Sequence, residues 1–299
     1  MKRRLEVSEL IFKILAYTLL TAFAICCLYP FVYAISSAIS GRDVVDNNEI
    51  ILLPKDIQFA AFAEIFKNNA FWISYANTLF LTFYGTVFSL FVAILGGYAL
   101  SKKRLLFRKG FNFILVFTMW FSAGVVPQYL NYKKTLTVFN SIGIQDTKWM
   151  IVIAMGMAAM NIILLRNAFE GVPSEIEEAA IVDGATELQV LTKVYVPMSK
   201  STIATVGLFF GISRWNGYYW AQRMIPANHS FEWPLQVYIR RYLEDNIWNS
   251  DQGAINVEVY SLNSIVYTMV ICAIIPILII YPYIQKYFAK GVNMGGVKE

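Results

Sequence analysis

The chain has 299 residues, of which 57% are hydrophobic and 16% aromatic against only 15% charged, a balance that excludes an ordinary soluble domain. Its net charge of +5 is modest, and the basic residues lie beside apolar runs, so they read as a topology signal rather than a nucleic-acid patch. A single histidine, His229, and three cysteines, Cys26, Cys27 and Cys272, all inside apolar runs, leave little material for a proton relay, a metal centre or a disulfide framework.

In chain order, Met1-Lys2-Arg3-Arg4 precedes an apolar run that continues over 14–39. A cleaved signal peptide has a core of only about 7–15 residues, so this run is expected to remain as a membrane helix. A helix needs about 20 apolar residues to cross a hydrocarbon core about 30 Å thick. Six stretches qualify: 14–35, 75–100, 111–130, 149–165, 202–221 and 262–284. The fourth is the shortest and carries Asn161. The expected fold class is therefore an all-α integral membrane protein of six transmembrane helices.

Lysine and arginine orient it. Four precede or open span one (Lys2, Arg3, Arg4, Lys13), and five follow span two (Lys102, Lys103, Arg104, Arg108, Lys109). Three more lie in the link after span four and three in the C-terminal tail, whereas the other three links share nine of the 25. The basic side is cytoplasmic by the positive-inside rule, so both termini are expected inside. Segments 1–74, with the first helix and an external stretch, 75–285, the core, and 286–299, a cytoplasmic tail, make up one membrane domain. The external segments 41–74 and 222–261 read either as caps over helix ends or as docking surfaces.

The most informative segment is the cytoplasmic loop 168–200. Gly171-Val172-Pro173 ends the preceding helix, because proline lacks a backbone donor and restricts its predecessor. Ser174-Glu175-Ile176-Glu177 has the capping-box pattern and predicts a helix to about Asp183, with Ala179 and Ala180 as a small-side-chain face. Asp183-Gly184 reads as a turn. Thr186-Glu187-Leu188-Gln189 is a second capping box, opening a short helix expected to end before Pro197. A rigid helical hairpin facing the cytoplasm results.

Glu178-Ala179-Ala180, Gly184 and Val194-Tyr195-Val196-Pro197 resemble the signature loop of binding-protein-dependent importer permeases of the ATP-binding-cassette class, with Val194 and Val196 in place of the more usual Ile and Leu. Tyr75-Ala76-Asn77-Thr78, Phe121-Ser122-Ala123-Gly124-Val125-Val126-Pro127, Trp215-Asn216 and the tail 285–292 are similar to the second permease subunit of maltose-type carbohydrate uptake systems, with the LplC/YtcP-like subgroup nearest. The resemblance implies the type I importer permease fold and alternating access. It also implies a second homologous permease, two cytoplasmic ATPases that use ATP and Mg, an external lipoprotein-type solute-binding protein, and an oligosaccharide cargo. It makes Glu177, Glu178, Ala179, Ala180, Asp183 and Gly184 the expected ATPase-coupling residues. The chain itself has no Gly-Lys pair, so a phosphate-binding loop is impossible, and no cofactor, metal or catalytic role is expected of it.

Span five holds Gly207-Leu208-Phe209-Phe210-Gly211, a pattern that allows close helix contact within this chain or across a subunit interface. Arg214 departs from the family pattern; an ionisable residue in a span faces protein or water, or snorkels to the interface. Asn161, Arg214, Trp215, Asn216 and Tyr219 are candidate substrate-pathway residues, since rings and amides suit sugars, although aromatics also form membrane belts. An ion-coupled secondary transporter is the rival reading, and it calls for buried carboxylates, yet no Asp or Glu lies in any of the six spans. A membrane-embedded enzyme lacks its paired acids or serine motif, and a permease for a non-sugar solute shares the same loop.

Overall fold

The structure is a computed structural model and describes residues 7–144, 146–249 and 261–291. Lys2, Arg3, Arg4, the 250–260 part of the second external segment, residues 292–299 and the side chains of the tail motif lie outside the described residues. The described chain is helical. No strand forms among these residues, apart from an isolated bridge between Ser40 and Ile57.

In order the helices are α1 (Val7–Ala38), α2 (Arg42–Asp46), α3 (Ala60–Lys67), α4 (Asn69–Ser101), α5 (Arg108–Trp120), α6 (Val125–Ser141), α7 (Thr147–Ala154) and α8 (Ala159–Glu170). There follow α9 (Ser174–Val182), α10 (Glu187–Val190), a π-turn (Leu191–Tyr195) and α11 (Val196–Met198). Then come α12 (Lys200–Trp215), α13 (Tyr218–Met224), a 3-10 turn (Ala227–Glu232), α14 (Leu235–Asn249) and α15 (Leu262–Gly291).

Three helices are long and apolar enough to cross a membrane unaided, within α1, α4 and α15. They coincide with the first, second and sixth expected spans. The third and fourth are not single helices. α5 and α6 meet at 117° and α7 and α8 at 50°, so the number of spans rises to five when each bent pair counts as one. In 111–130 the helix stops because Phe121 is extended and Gly124 sits at φ +85°, a conformation costly for a side chain. The fifth expected span, 202–221, is divided: α12 ends after 16 residues, Asn216 closes it by donating from Nδ2 to Ile212 O (3.1 Å), and α13 restarts beyond Gly217.

The chain forms two compact units. One comprises 1–71 and 239–276, the other 72–238 and 277–299. In the first, Ser36 donates from its hydroxyl to Leu52 O (2.7 Å) and Ser40 donates to Ser36 O (2.6 Å), tying the segment that follows α1 to the end of that helix. Tyr33 meets Tyr267 edge to face at 5.6 Å. Along α1 the apolar side chains from Leu10 to Tyr29 are exposed, as on a helix solvated by hydrocarbon.

In the second unit, α8 packs against α5 and α12, and α7 against α6 and α13. One apolar core joins Leu100 at the end of α4, Leu165 and Phe169 on α8, Leu191 and Tyr195 in the π-turn, and Phe210 on α12. A second gathers Leu81, Met150, Val152, Met224 and Val237. The Tyr75-Ala76-Asn77-Thr78 motif acts here as a pin. Asn77 Nδ2 donates to Phe231 O (2.7 Å) and Trp233 O (3.1 Å), and Leu235 N donates to Thr78 Oγ1 (2.7 Å).

Candidate coupling site

Segment 174–198 forms a helical hairpin that differs from the expected one in its first cap, in the end of its second helix and in the face of its two alanines. The first capping box does not form: Pro173, extended at ψ 132°, occupies the cap position and makes no side-chain bond, so Ser174 is already in the helix. Glu177 instead turns to an ammonium, a stronger partner than a backbone amide. The second box is complete, with Gln189 N donating to Thr186 Oγ1 (3.4 Å) and Thr186 N donating to Gln189 Oε1 (2.8 Å). Nor does the second helix stop before Pro197. Its backbone widens into the π-turn and continues through α11, a local rearrangement that accommodates a residue with no N–H to give.

Gly184 closes α9 at φ +82°, and a Cβ placed on it would meet nothing within 4 Å. Gly184 N donates to Ile181 O (3.0 Å) and Ala185 N to Ala180 O (2.9 Å), satisfying carbonyls at the helix end. Glu178, Ala179, Asp183 and Gly184 are exposed, whereas Ala180 packs against the core, so the two alanines do not share one outward face. Sequence reasoning missed the apolar tip. Val182 is 86% and Leu188 65% exposed, with Ile176 and Ile181 also outward. Their signal was a break in the polar pattern of an otherwise charged loop.

Beneath the hairpin lies a cluster that sequence reasoning did not assemble. The Lys102 ammonium is 2.6 Å from Glu177 Oε1, and Tyr195 Oη donates to Glu177 Oε2 (2.5 Å). The same ammonium stands 4.3 Å from the Tyr98 ring centroid and 4.0 Å from that of Tyr195. Tyr98 Oη donates to Glu187 Oε2 (2.8 Å), and Arg104 also pairs with Glu187. Arg108 joins Glu170 and donates from Nε to Leu100 O (2.8 Å). Burial pushes the Glu177 carboxyl up, but the Lys102 and Tyr195 hydrogen bonds outweigh it and hold it below its ordinary value. Glu187 is likewise held down, first by the Tyr98 hydroxyl and then by Arg104, against burial. A cleft of about 750 Å³ opens beside this cluster, lined by Lys103, Arg104, Arg108, Glu170, Glu178 and Ile181 among others.

The expected pathway residues differ in burial and in partners. Arg214 is buried on α12, and from Nη2 donates to Met155 O (2.5 Å) and Ser89 Oγ (3.0 Å) and from Nη1 to Ile151 O (3.2 Å). It therefore caps the end of α7 at the break in span four. Trp215 is buried edge to face with Tyr75 at 6.0 Å, and Asn161 is buried on α8. Asn216 is exposed, and Tyr219 lies under the Arg223 guanidinium at 3.7 Å.

The described chain thus combines membrane-length and broken helices with a polar hairpin that is tied from below and apolar at its tip. The chain belongs to the family of binding-protein-dependent transport system inner membrane components, which it matches over residues 59–294. It is 33% identical over 294 residues to the polygalacturonan/rhamnogalacturonan transport system permease protein YtcP of Bacillus subtilis, covering 96% of this chain and 98% of that one. To Protein LplC of the same organism it is 33% identical over 279 residues, covering 91% and 89%. Among solved structures it is similar to a chain of a bacterial ABC transporter involved in the import of the acidic polysaccharide alginate, with TM-score 0.84 and 43% identity over 95% of this chain and 98% of that one. A further chain, from an alginate ABC transporter in complex with an alginate pentasaccharide-bound periplasmic protein, shares the fold at TM-score 0.63 and 18% identity, covering 92% of each.

Proposed function

We propose that this chain is one of two related permease subunits of an ATP-driven importer in the bacterial plasma membrane, and that its cargo is an acidic oligosaccharide built from uronic acid units. The observation that carries the cargo class is the 43% identity, over almost the whole of both chains, with the alginate importer chain, alongside the polygalacturonan/rhamnogalacturonan relative. Both named cargoes are polyanions of sugar.

The hairpin supports the energetic half of the reading. Exposed Val182 and Leu188 flank Gly184, which has open space around it, so the tip can enter a groove of another protein. Two cytoplasmic ATPases would grip the hairpins of this subunit and its homologous partner, with Glu177, Glu178, Ala179, Ala180, Asp183 and Gly184 as the coupling element. Closure of the ATPases on ATP and Mg would then move the spans between inward- and outward-open states. Shifting such an equilibrium from 1:99 to 99:1 takes about 5.5 kcal/mol of differential binding, which a rigid hairpin transmits and a disordered loop dissipates. This assembly has six spans per permease, with both termini and segment 168–200 in the cytoplasm. An external binding protein delivers the sugar.

The test is ATPase stimulation in the assembled complex reconstituted in lipid. Oligogalacturonate or oligoalginate presented on the cognate binding protein should raise hydrolysis and enter the vesicles, whereas maltodextrin should do neither. Equal response to maltodextrin refutes the acidic cargo, and uptake by the chain without ATPases refutes the importer.

A further inference from the structure

The hairpin is joined to more than the two helices that precede and follow it in sequence. Lys102 directly follows the last residue of α4, and its ammonium is enclosed by three groups at once: the Glu177 carboxylate of α9, the Tyr195 ring of the π-turn and the Tyr98 ring of α4 itself. The Lys102 side chain is 10% exposed and that of Glu177 17%, so this is a nearly dry ion pair. Tyr98 makes the second tie, to Glu187 at the start of α10, and Arg104 a third to the same carboxylate. Both limbs of the hairpin are thus fastened to one helix end. Ring contacts Tyr98–Tyr195 (5.1 Å), Phe169–Tyr195 (5.8 Å) and Tyr98–Phe169 (6.4 Å) close the space between the ties.

A cation held between two rings and a carboxylate resists displacement, since moving any wall of the cage strips the charge of a partner while water stays excluded. We propose that Lys102 is a positioning residue for coupling: with Tyr98, Tyr195 and Glu177 it makes the hairpin and the C-terminal end of α4 a single rigid body, so that α4 is the helix through which the hairpin's motion enters the core. This rests on the reading that ATPases move the hairpin. It adds a route for that motion that the chain order of the spans does not contain, because the hairpin's own neighbours in sequence are α8 and α12.

The test uses the assembled complex, on a background lacking the native cysteines, with nitroxide labels at exposed Ala99 on α4 and exposed Glu175 on α9. In the parent the distance between the labels should be single and equal in the nucleotide-free and vanadate-trapped states. Lys102→Met, which keeps the length and removes the charge, should broaden that distance. It should also lower the maximal uptake rate about tenfold with KM for the cargo unchanged, while the ATPases still co-purify. Lys102→Arg, whose guanidinium also stacks on rings and reaches a carboxylate, should keep the narrow distance and most of the uptake. A parent distance that shifts between the two states, or Lys102→Met with parental uptake, overturns the proposal and leaves the importer reading standing. Loss of the ATPases from the parent complex overturns that reading instead, and this inference with it.

Discussion

Replacing Arg214 with methionine tests whether the break between α7 and α8 is held by a side chain from α12. The guanidinium makes three close hydrogen bonds, to Met155 O, Ser89 Oγ and Ile151 O, and a longer one to Val152 O at 3.5 Å. Ile151 O also accepts from Met155 N (3.3 Å), so the carbonyl that depends most on Arg214 is Met155 O, in the break itself. Hydrogen bonds from charged donors contribute about 1.5–3 kcal/mol each in water-soluble proteins. In membrane bundles measured couplings average nearer 0.6, with a maximum of about 1.7 kcal/mol, because the unfolded chain in lipid also finds partners. Three close bonds on the membrane scale amount to about 2 kcal/mol, and at its maximum to about 5. The void left where Arg214 now packs over Gly85 adds to the loss, while relief of the guanidinium's desolvation offsets part of it. The expected cost is therefore about 2–4 kcal/mol, read as a lowered unfolding transition of the purified protein in lipid nanodiscs. Arg214→Lys reaches one or two of the same carbonyls and should lose about half as much. If Arg214→Met unfolds within about 0.5 kcal/mol of the parent, the capping account is wrong and the carbonyls at the break are satisfied without it.

Gly184→Asn separates the two uses of that glycine, because asparagine tolerates the left-handed backbone and no atom of the chain lies in its way. Folding should be unchanged to within about 0.5 kcal/mol, yet co-purification of the ATPase and uptake should collapse; normal uptake would mean that Gly184 serves the turn alone. Asn77→Ala frees the carbonyls of Phe231 and Trp233 and should cost about 1–3 kcal/mol, with segment 231–235 the first to be cut in limited proteolysis of the intact protein; an unchanged cleavage pattern counts against the pin. Because Glu177 and Glu187 are held below their ordinary values in the folded state, the stability they give is complete above the usual carboxylate range and is lost as pH falls through their lowered values. Hairpin protection against hydrogen exchange should then be flat from roughly pH 6 to 8 and weaken only in acid, and a midpoint near neutrality would contradict the ion-paired assignment.

What the sequence discloses is sorted by where each interaction finds its partner. α1, α4 and α15 are legible because apolar length alone decides them, and hydropathy sums over length. The same sum hides a bend. Residues 111–130 stay apolar through Phe121 and Gly124, although the backbone there turns by 117°, whereas in 202–221 the polar Arg214 and Asn216 stand at the break itself. The two capping boxes make the point within one loop. Thr186 and Gln189 answer each other because nothing nearby competes, so the local pattern is the structure. Ser174 and Glu177 carry the same pattern, but Pro173 already holds the cap position and Glu177 has an ammonium to face.

Lys102 shows why that ammonium was invisible. Read along the chain it is one of five basic residues after span two, and counting charge assigns it to the cytoplasmic rim. In the fold it is the only one of the run 102–104 turned inward, against rings of Tyr98 and Tyr195, while Lys103 and Arg104 remain exposed. Orientation needs only that the charge stay on its side of the membrane, and a buried lysine at the helix end meets that demand as well as a solvated one. One residue thus carries two pieces of information, of which composition reports the first. The second depends on a carboxylate and a ring brought back by the hairpin, and a substitution that spares the lysine and arginine count, such as Glu177→Gln, would leave the topology untouched while opening the cage.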